Sequence, residues 1–359
     1  MRILLTASRA LIAPEIIRNF AKHGHEVITA DSMRFGAGNS CSKRIKHIRV
    51  PSCRFHENAF VDAIKDIAKK ERVESIVPLG EEGYYLAKHK NELPCGCFVE
   101  EIEKIERLHN KLSFYNVCLD FGIKTPHTEI AKYMGKNKIY KRIHSRCGES
   151  TSMNPRSRDL FDGQWIAQDF IDGVPVSCFS AGENLVVYKA KFYNKISPFS
   201  NIYDVDDTGL KDEIRVMVNK IKSGTKYNGV MGLDFVLADD GLYCIECNPR
   251  ITTGLLLMNA YDLLGILQNR AEAIETKGKN LKFAGYMFWQ FLTGEVNFKN
   301  IKDYFSAMGN FKESVADIRD IKPFFASYMM NLEWMLLAFK KKINIREAAV
   351  YDLQYNQGQ

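Results

Sequence analysis

Over the first hundred residues the apolar positions switch between two periods. Arg2 to Ala7 is an apolar run of strand length, and Pro14 to His23 carries its apolar side chains at helical spacing. His25 to Ala30 returns to a strand, Ala59 to Lys70 to a helix, and Ser75 to Pro78 to another apolar strand. Strands alternating with helices predict right-handed crossovers and a parallel sheet, so residues 1–107 are expected to form an α/β, Rossmann-like domain. Gly24 supplies a helix stop, and Pro14 sits near a helix start, where a missing N–H costs nothing. The first strand runs into Thr6-Ala7-Ser8-Arg9 without a G-x-G-x-x-G, so no dinucleotide is expected there. This domain is expected to lend shape and substrate contacts.

From about Leu108 the pattern changes to shorter strands joined by basic, glycine-containing loops: Tyr140 to Ile143, Trp165 to Phe170, Val174 to Phe179, Leu185 to Phe192, Val230 to Leu237 and Leu242 to Cys247. That is an antiparallel α+β signature, and it delimits a second module at 108–276. The remainder, 277–359, includes Tyr286 to Thr293, Ile301 to Met308 and an apolar helix near Asn331 to Phe339. It shows no chemistry-bearing constellation and is expected to pack on the module.

The segment from Val230 to Arg250 reads as a hairpin around Ala238-Asp239-Asp240-Gly241. A two-residue Asp240-Gly241 loop would set Asp234 and Glu246 on opposite faces. A three-residue Asp239-Asp240-Gly241 loop with a glycine bulge pairs Ala238 with Leu242, Val236 with Cys244 and Asp234 directly with Glu246. Glu246 and Asn248 share a face by the two-residue period, so Asp234, Glu246 and Asn248 become candidate oxygen ligands for a hard cation such as Mg²⁺, with Mn²⁺ as the alternative. Arg250 follows on the same side, where its fork could meet a phosphate oxygen or an acyl phosphate. Taken alone, Glu246 to Arg250 reads equally well as a strand ending in a proline turn with its polar groups in water.

Composition narrows the class. A chain of 359 residues, 46% apolar, suggests two or three packed domains, and a net charge of +7 spread along its length favours acidic small molecules only weakly. Lys43, Arg44, Lys46 and Arg49 form a modest basic cluster that reads as a solvated loop, so no nucleic acid is expected. Nine cysteines in a chain of this size point to a reducing, cytoplasmic setting. Cys244 and Cys247 have C-x-x-C spacing, but an offset of three in a strand sends their side chains to opposite faces. Pro323 to Phe339 is interrupted by Asn331 and Glu333, falls short of a membrane span of about 20 apolar residues, and reads as a buried helix.

Five ordered features now resemble the ATP-grasp superfamily, in the branch similar to carbamoyl-phosphate synthase large chains and carboxylate–amine ligases. They are Asn110-Lys111; Lys141 with the loop Ser145 to Ser150; Gln168-Asp169-Phe170-Ile171-Asp172-Gly173; Asp234-Phe235; and Glu246 to Arg250. The resemblance spans about Met1 to Gly265. It implies that Lys111, Lys141 and the loop donors Arg146, Gly148 and Ser150 hold the phosphates of ATP, and that the main chain of Gln168, Asp169, Phe170 and Ile171 reads adenine. The loop departs from the glycine-rich family pattern in having Gly148 alone, with Glu149 beside it. Gly173 is followed by Val174-Pro175-Val176-Ser177, so the ribose contact is expected from Asp172 or Ser177.

Lys189 and Lys191 share a strand face and could offer cations to a substrate carboxylate or the γ-phosphate; equally, that face could be the wet side of the sheet. Thr252-Thr253-Gly254 is expected to open a helix whose N-terminal amides face the site.

The reaction the resemblance implies is ATP-dependent carbon–nitrogen ligation: a carboxylate takes the γ-phosphoryl group and an amine opens the acyl phosphate. Lys141 and Arg250 would steady the transferring group, and no protein nucleophile is required. The expected partners are small-molecule carboxylate and amine substrates, with no membrane, and a homodimer is one assembly the chain could form. Two rivals stand beside this reading: carbonate or carbamate activation with a partner, and a nucleotide-binding scaffold without turnover.

Overall fold

The computed structural model describes residues 1–144, 151–152, 162–190, 201–205, 207–258, 262–268, 270, 280–283, 301–310, 312–313, 315 and 317–355. The loop donors Arg146, Gly148 and Ser150, together with Lys191, lie outside the described residues, as does the expected strand Tyr286 to Thr293.

The N-terminal strands are β1 (Arg2–Thr6), β2 (Glu26–Asp31), β3 (Lys46–Arg49), β4 (Ser75–Pro78) and β5 (Gly96–Cys97), all parallel, in the order β3-β2-β1-β4-β5. Ile3, Leu4 and Leu5 of β1 are fully buried, because a central parallel strand is covered on both faces. Helix α1 (Ala13–Lys22) presents Ile16, Ile17 and Phe20 to that sheet; each such burial contributes roughly 1.5–3 kcal/mol. Helix α2 (Glu57–Lys70) covers it likewise through Phe60, Val61, Ile64 and Ile67.

The basic cluster is not simply a loop: Lys46 to Arg49 forms the edge strand β3, with the Lys46 ammonium on Glu71 and Arg49 Nη2 donating to Ser32 O. The strand order reverses between β1 and β4, the position at which open α/β sheets accept ligands. Beyond β4 come α3 (Glu82–Lys88) and α4 (Ile102–His109), two short helices with weak sequence signals.

Helix α5 (Lys111–Asp120) begins at Asn110, whose side chain accepts from the amides of Leu112 and Ser113 and satisfies two of the helix's orphan donors. A four-stranded sheet follows, β6 (Thr128–Ile130), β7 (Lys138–Arg142), β8 (Thr151–Ser152) and β9 (Trp165–Asp169), in the order β6-β9-β7-β8.

The larger sheet contains β10 (Val174–Ala181), β11 (Asn184–Ala190), β12 (Asn201–Asp204), β13 (Met231–Ala238), β14 (Gly241–Asn248), β15 (Asn280–Lys282) and β16 (Lys312–Glu313), in the order β14-β13-β10-β11-β12-β15-β16. Helix α6 (Thr208–Thr225) packs Leu210, Ile214, Val218 and Ile221 into the core. Next come α7 (Leu263–Leu267), α8 (Ile301–Asn310), α9 (Lys322–Lys341) and α10 (Ile345–Val350). No helix among the described residues is long and apolar enough to cross a membrane.

Within the C-terminal segment β15 and β16 extend the second module's sheet, while the helices α9 and α10 dock on the N-terminal domain. Arg18 reaches Val315 O and Asp320, the amide of Ser42 donates to the Asp320 carboxylate, and Trp334 Nε1 meets Met33 Sδ at 3.2 Å. Arg9, buried beside Asp31, reaches out to Asp352 at 2.7 Å. These anchors join positions some 300 residues apart, a separation that no local pattern reports.

Candidate active site

The β13–β14 hairpin sets the carboxylates, by a route the sequence reading did not foresee. Its turn holds two residues, Asp239 and Asp240, because Ala238 pairs with Gly241, Leu237 with Leu242, Val236 with Tyr243 and Phe235 with Cys244. Gly241 closes the turn at φ +129°, a region open to glycine at little cost. The register then shifts: Asp234 faces Glu246, Leu233 faces Cys247 and Gly232 faces Asn248, leaving Ile245 as the extra residue of a β-bulge. The expected pairing of Asp234 with Glu246 holds, while the expected three-residue turn and the Val236–Cys244 pair do not.

The bulge also reverses the parity of burial along β14. Leu242 and Cys244 are buried, then Cys247, so the two cysteines lie on the same apolar face and not on opposite ones. Burial pushes both thiols well above their ordinary pKa, which keeps them protonated and inert.

On the other face Ser177 Oγ donates to Asp234 Oδ1 at 2.6 Å, Asn248 Nδ2 donates to Asp234 Oδ2 at 3.1 Å, and Arg250 Nη2 donates to Asn248 Oδ1 at 3.0 Å. Lys111 Nζ stands 3.9 Å from Glu246 Oε2. Lys111 is only 6% exposed, far from the solvated helix start that surface statistics favour. Lys141, also buried, donates to Gln168 Oε1 at 2.8 Å, and Gln168 Nε2 donates to Thr128 Oγ1 at 3.0 Å.

These contacts set the charge states. Burial and then the repulsion of Glu246 push the Asp234 carboxyl up to about 7, against the pull of Ser177 and Arg250. Burial also opposes ionisation of Glu246, but Lys111, Lys141 and a hydrogen bond from Asp234 outweigh it and hold that carboxyl below its ordinary value. Desolvation lowers Lys141, with Glu246 opposing the shift. Of the two carboxyl groups Asp234 is therefore the one that tends to keep a proton while Glu246 stays ionised, as expected where a cation belongs.

Among the described residues no cluster of three His, Cys, Asp or Glu could enclose a metal. Two carboxylates and one amide suit Mg²⁺, which keeps waters and phosphate oxygens in its remaining positions.

Other expected site residues are placed less simply. The amides of Asp169 and Phe170 donate to His127 O and Asn137 O, so they are not the groups that could read adenine. Asp169 also pairs with Lys138 at 2.7 Å, and Phe170 is exposed. Ser177 is engaged by Asp234, which sets it among the carboxylates and away from a ribose role.

Tyr188 faces Ser177 across β10 and β11, and Ser177 faces Asp234, so the strand period turns Lys189 to the opposite face, away from the carboxylates. Thr253–Leu257 forms a 3₁₀ turn and not an α-helix.

Sequence reasoning passed over His109, at the end of α4. Its ring is buried between Tyr84 at 5.0 Å, His144 at 5.8 Å and Tyr355 at 6.5 Å, and neither ring nitrogen has a hydrogen-bond partner among the described residues. Burial, opposed by Glu81 and reinforced by Lys111, His144 and Arg250, pushes His109 down to about 3, so it is neutral at physiological pH. Nearby, at the carboxyl end of β4, Glu82 accepts from Thr6 Oγ1 and the amides of Leu79 and Gly80, and Glu81 accepts from the amide of Tyr355 at 2.9 Å. Glu81, Lys111 and Arg250 thus all bear on His109.

Known proteins are similar to this chain in sequence and in fold. Residues 108–254 match the ATP-grasp domain family. A tyramine–L-glutamate ligase of Methanocaldococcus jannaschii is 30% identical over 247 residues, which cover 63% of this chain and 73% of that protein. The L-amino acid ligase from Bacillus licheniformis superposes with a TM-score of 0.60 at 15% identity, over 76% of this chain and 75% of that one. The biotin carboxylase domain of Hydrogenobacter thermophilus 2-oxoglutarate carboxylase, a dimer in complex with MgADP, ADP and bicarbonate, gives 0.60 at 15% identity over 77% and 71%. With this hairpin, these flanking lysines and that degree of identity over most of a ligase, the chain belongs to the ATP-grasp family.

Proposed function

We propose that the protein is an ATP-dependent carboxylate–amine ligase in which Asp234, Glu246 and Asn248 hold Mg²⁺ against the phosphates of ATP. The observation that carries this reading is the pairing of Asp234 with Glu246 across the hairpin, with Asn248 on Asp234, Arg250 on Asn248 and Lys111 3.9 Å from Glu246. When bound, the cation supplies charge neutralisation at the β- and γ-phosphate oxygens. Lys141 and Lys111 supply further positive charge from the nucleotide side. Arg250 is positioned to fork onto the substrate carboxylate or the acyl phosphate it becomes, its Nε being buried and without a partner.

As placed, Asn248 turns its amide nitrogen to Asp234 and its oxygen to Arg250; rotating the amide presents the oxygen to a cation once Asp234 ionises. The same oxygen set would accept Mn²⁺. In the reaction the substrate carboxylate attacks the γ-phosphorus, ADP leaves, and the amine then displaces phosphate from the acyl carbon. Positioning and electrostatics suffice, and the buried thiols take no part. The relative named tyramine–L-glutamate ligase suggests an amino acid as the acid and a primary amine as the acceptor here.

The test is phosphate release from Mg-ATP with amino acids crossed against primary amines. Release should require one of each. Protein that neither binds ATP nor responds to Mg²⁺ would sink the proposal.

On the acceptor side, the neutral ring of His109 beside Glu81 suits the amine. His109→Asn is expected to raise the KM for the amine about tenfold, leaving that for ATP unchanged. Equal changes in both would remove the assignment.

A further inference from the structure

Helix α9 is apolar on two sides. Its inner side, Pro323, Ala326, Met330, Trp334 and Ala338, is buried, and Met330, Trp334 and Ala338 share a small core with Met33 of the N-terminal domain. Its outer side is also apolar without interruption. At 100° per residue, the positions within about 60° of Leu332 are Ile321, Phe325, Tyr328, Met329, Leu332, Met335, Leu336 and Phe339.

No charged residue falls in that sector. Phe325 is 61% exposed, Leu336 71% and Phe339 88%, with Ile321, Met329, Leu332 and Met335 each more than a third exposed. A helix that is hydrophobic all round belongs in an interior, and one lying at the surface marks an interface.

The order of side chains along the face says what covers it. A two-fold axis through Leu332, perpendicular to the helix, sets Leu332 on its own copy, Phe325 on Phe339, Tyr328 on Leu336 and Met329 on Met335. Every outward residue from Phe325 to Phe339 then meets an apolar partner, which is the self-complementarity an isologous contact demands. With about 150–250 Å² per large side chain, the exposed fractions leave roughly 700–900 Å² on each copy, close to the share a stable homodimer interface takes from each partner. We infer that the outer face of α9 is the antiparallel two-fold interface of a homodimer of this chain.

The experiment uses the full chain, by sedimentation velocity across the micromolar range. The wild type should sediment at twice the 41.1 kDa chain mass. Leu336→Glu and Phe339→Glu, at outward positions, should sediment as monomers with unchanged melting temperature and circular dichroism. A mixture of Phe325→Cys and Phe339→Cys proteins should cross-link on mild oxidation, and neither alone should do so. A monomeric wild type, on its own or with the face engaged instead by a lipid vesicle, would overturn the inference. So would glutamate variants that remain dimeric, or cross-linking by each cysteine variant alone.

Discussion

Glu246→Gln is expected to lower turnover roughly a thousandfold, because it removes the one carboxylate that Lys111 and Lys141 keep ionised in the absence of a cation. Asp234→Asn should cost as much in phosphate release, but its effect on stability has the opposite sign. The folded-state pKa of Asp234 is raised to about 7 from an ordinary value of 3.8. Between those values the folded chain holds a proton that the unfolded chain has lost, so the cation-free protein loses stability as pH rises through that window.

An asparagine has no charge to bury. Cation-free Asp234→Asn is therefore expected to melt higher than the wild type at pH 8, by an amount on the order of a few kcal/mol, and to match it near pH 4. Mg²⁺ with ATP should stabilise the wild type more at pH 8 than at pH 5.5, since the shared proton must leave first. Calorimetric scans at those pH values, with and without Mg-ATP, check both statements. A wild type that gains as much from Mg-ATP at pH 5.5 would show that the pair is not a proton-coupled cation site.

Arg9→Ala is expected to be the most destabilising single change outside the site. The guanidinium is buried, donates to Asp31 Oδ1 and pairs with Asp352 at 2.7 Å, while Asp352 also accepts from Ser32. Asp31 has a fully buried side chain, and removing its partner leaves an uncompensated charge worth about 3–5 kcal/mol.

Burial works against ionisation of Asp352, but Arg9 prevails and holds its pKa below the ordinary value. The contribution of Asp352 is therefore complete above the ordinary carboxylate range and lost only as pH falls through the depressed value. The loss should appear in urea titrations at pH 7 as a lower midpoint with an unchanged slope. It should be accompanied by early proteolysis after residue 315, because the same contact moors the C-terminal helices. A midpoint within experimental error of the wild type would remove Arg9 from its role as an anchor.

The alternation of strands and helices in the N-terminal domain was legible, because both periods are long and pure there. So was the carboxylate set, since Glu246 and Asn248 keep the two-residue period and Asp234 stands on the preceding strand. The turn was misread because a bulge is an event of the backbone; its trace is the spacing of Leu242, Cys244 and Cys247, which breaks an otherwise even alternation. The burial of Lys111 has no trace in residue statistics, which carry no knowledge that α5 packs beside β14. The sequence leaves Lys189 between a site cation and the wet side of the sheet because face-sharing along one strand does not say which face meets a neighbour. His109 gave no signal at all: what singles it out is the absence of hydrogen-bond partners, a property only of the folded state.

The bulge at Ile245 makes β14 a strand whose tolerance to substitution should change phase in the middle. In a library covering every position from Gly241 to Asn248, survival of polar replacements should be low at 241, where φ of +129° suits glycine, high at 243, low at 242 and 244, and low again at 247, with 246 and 248 lethal for ligation. A strict two-beat rhythm would run on unbroken through 245. A skipped beat at that residue would mark, from sequence variation alone, where the chain stops serving its core and starts serving its chemistry.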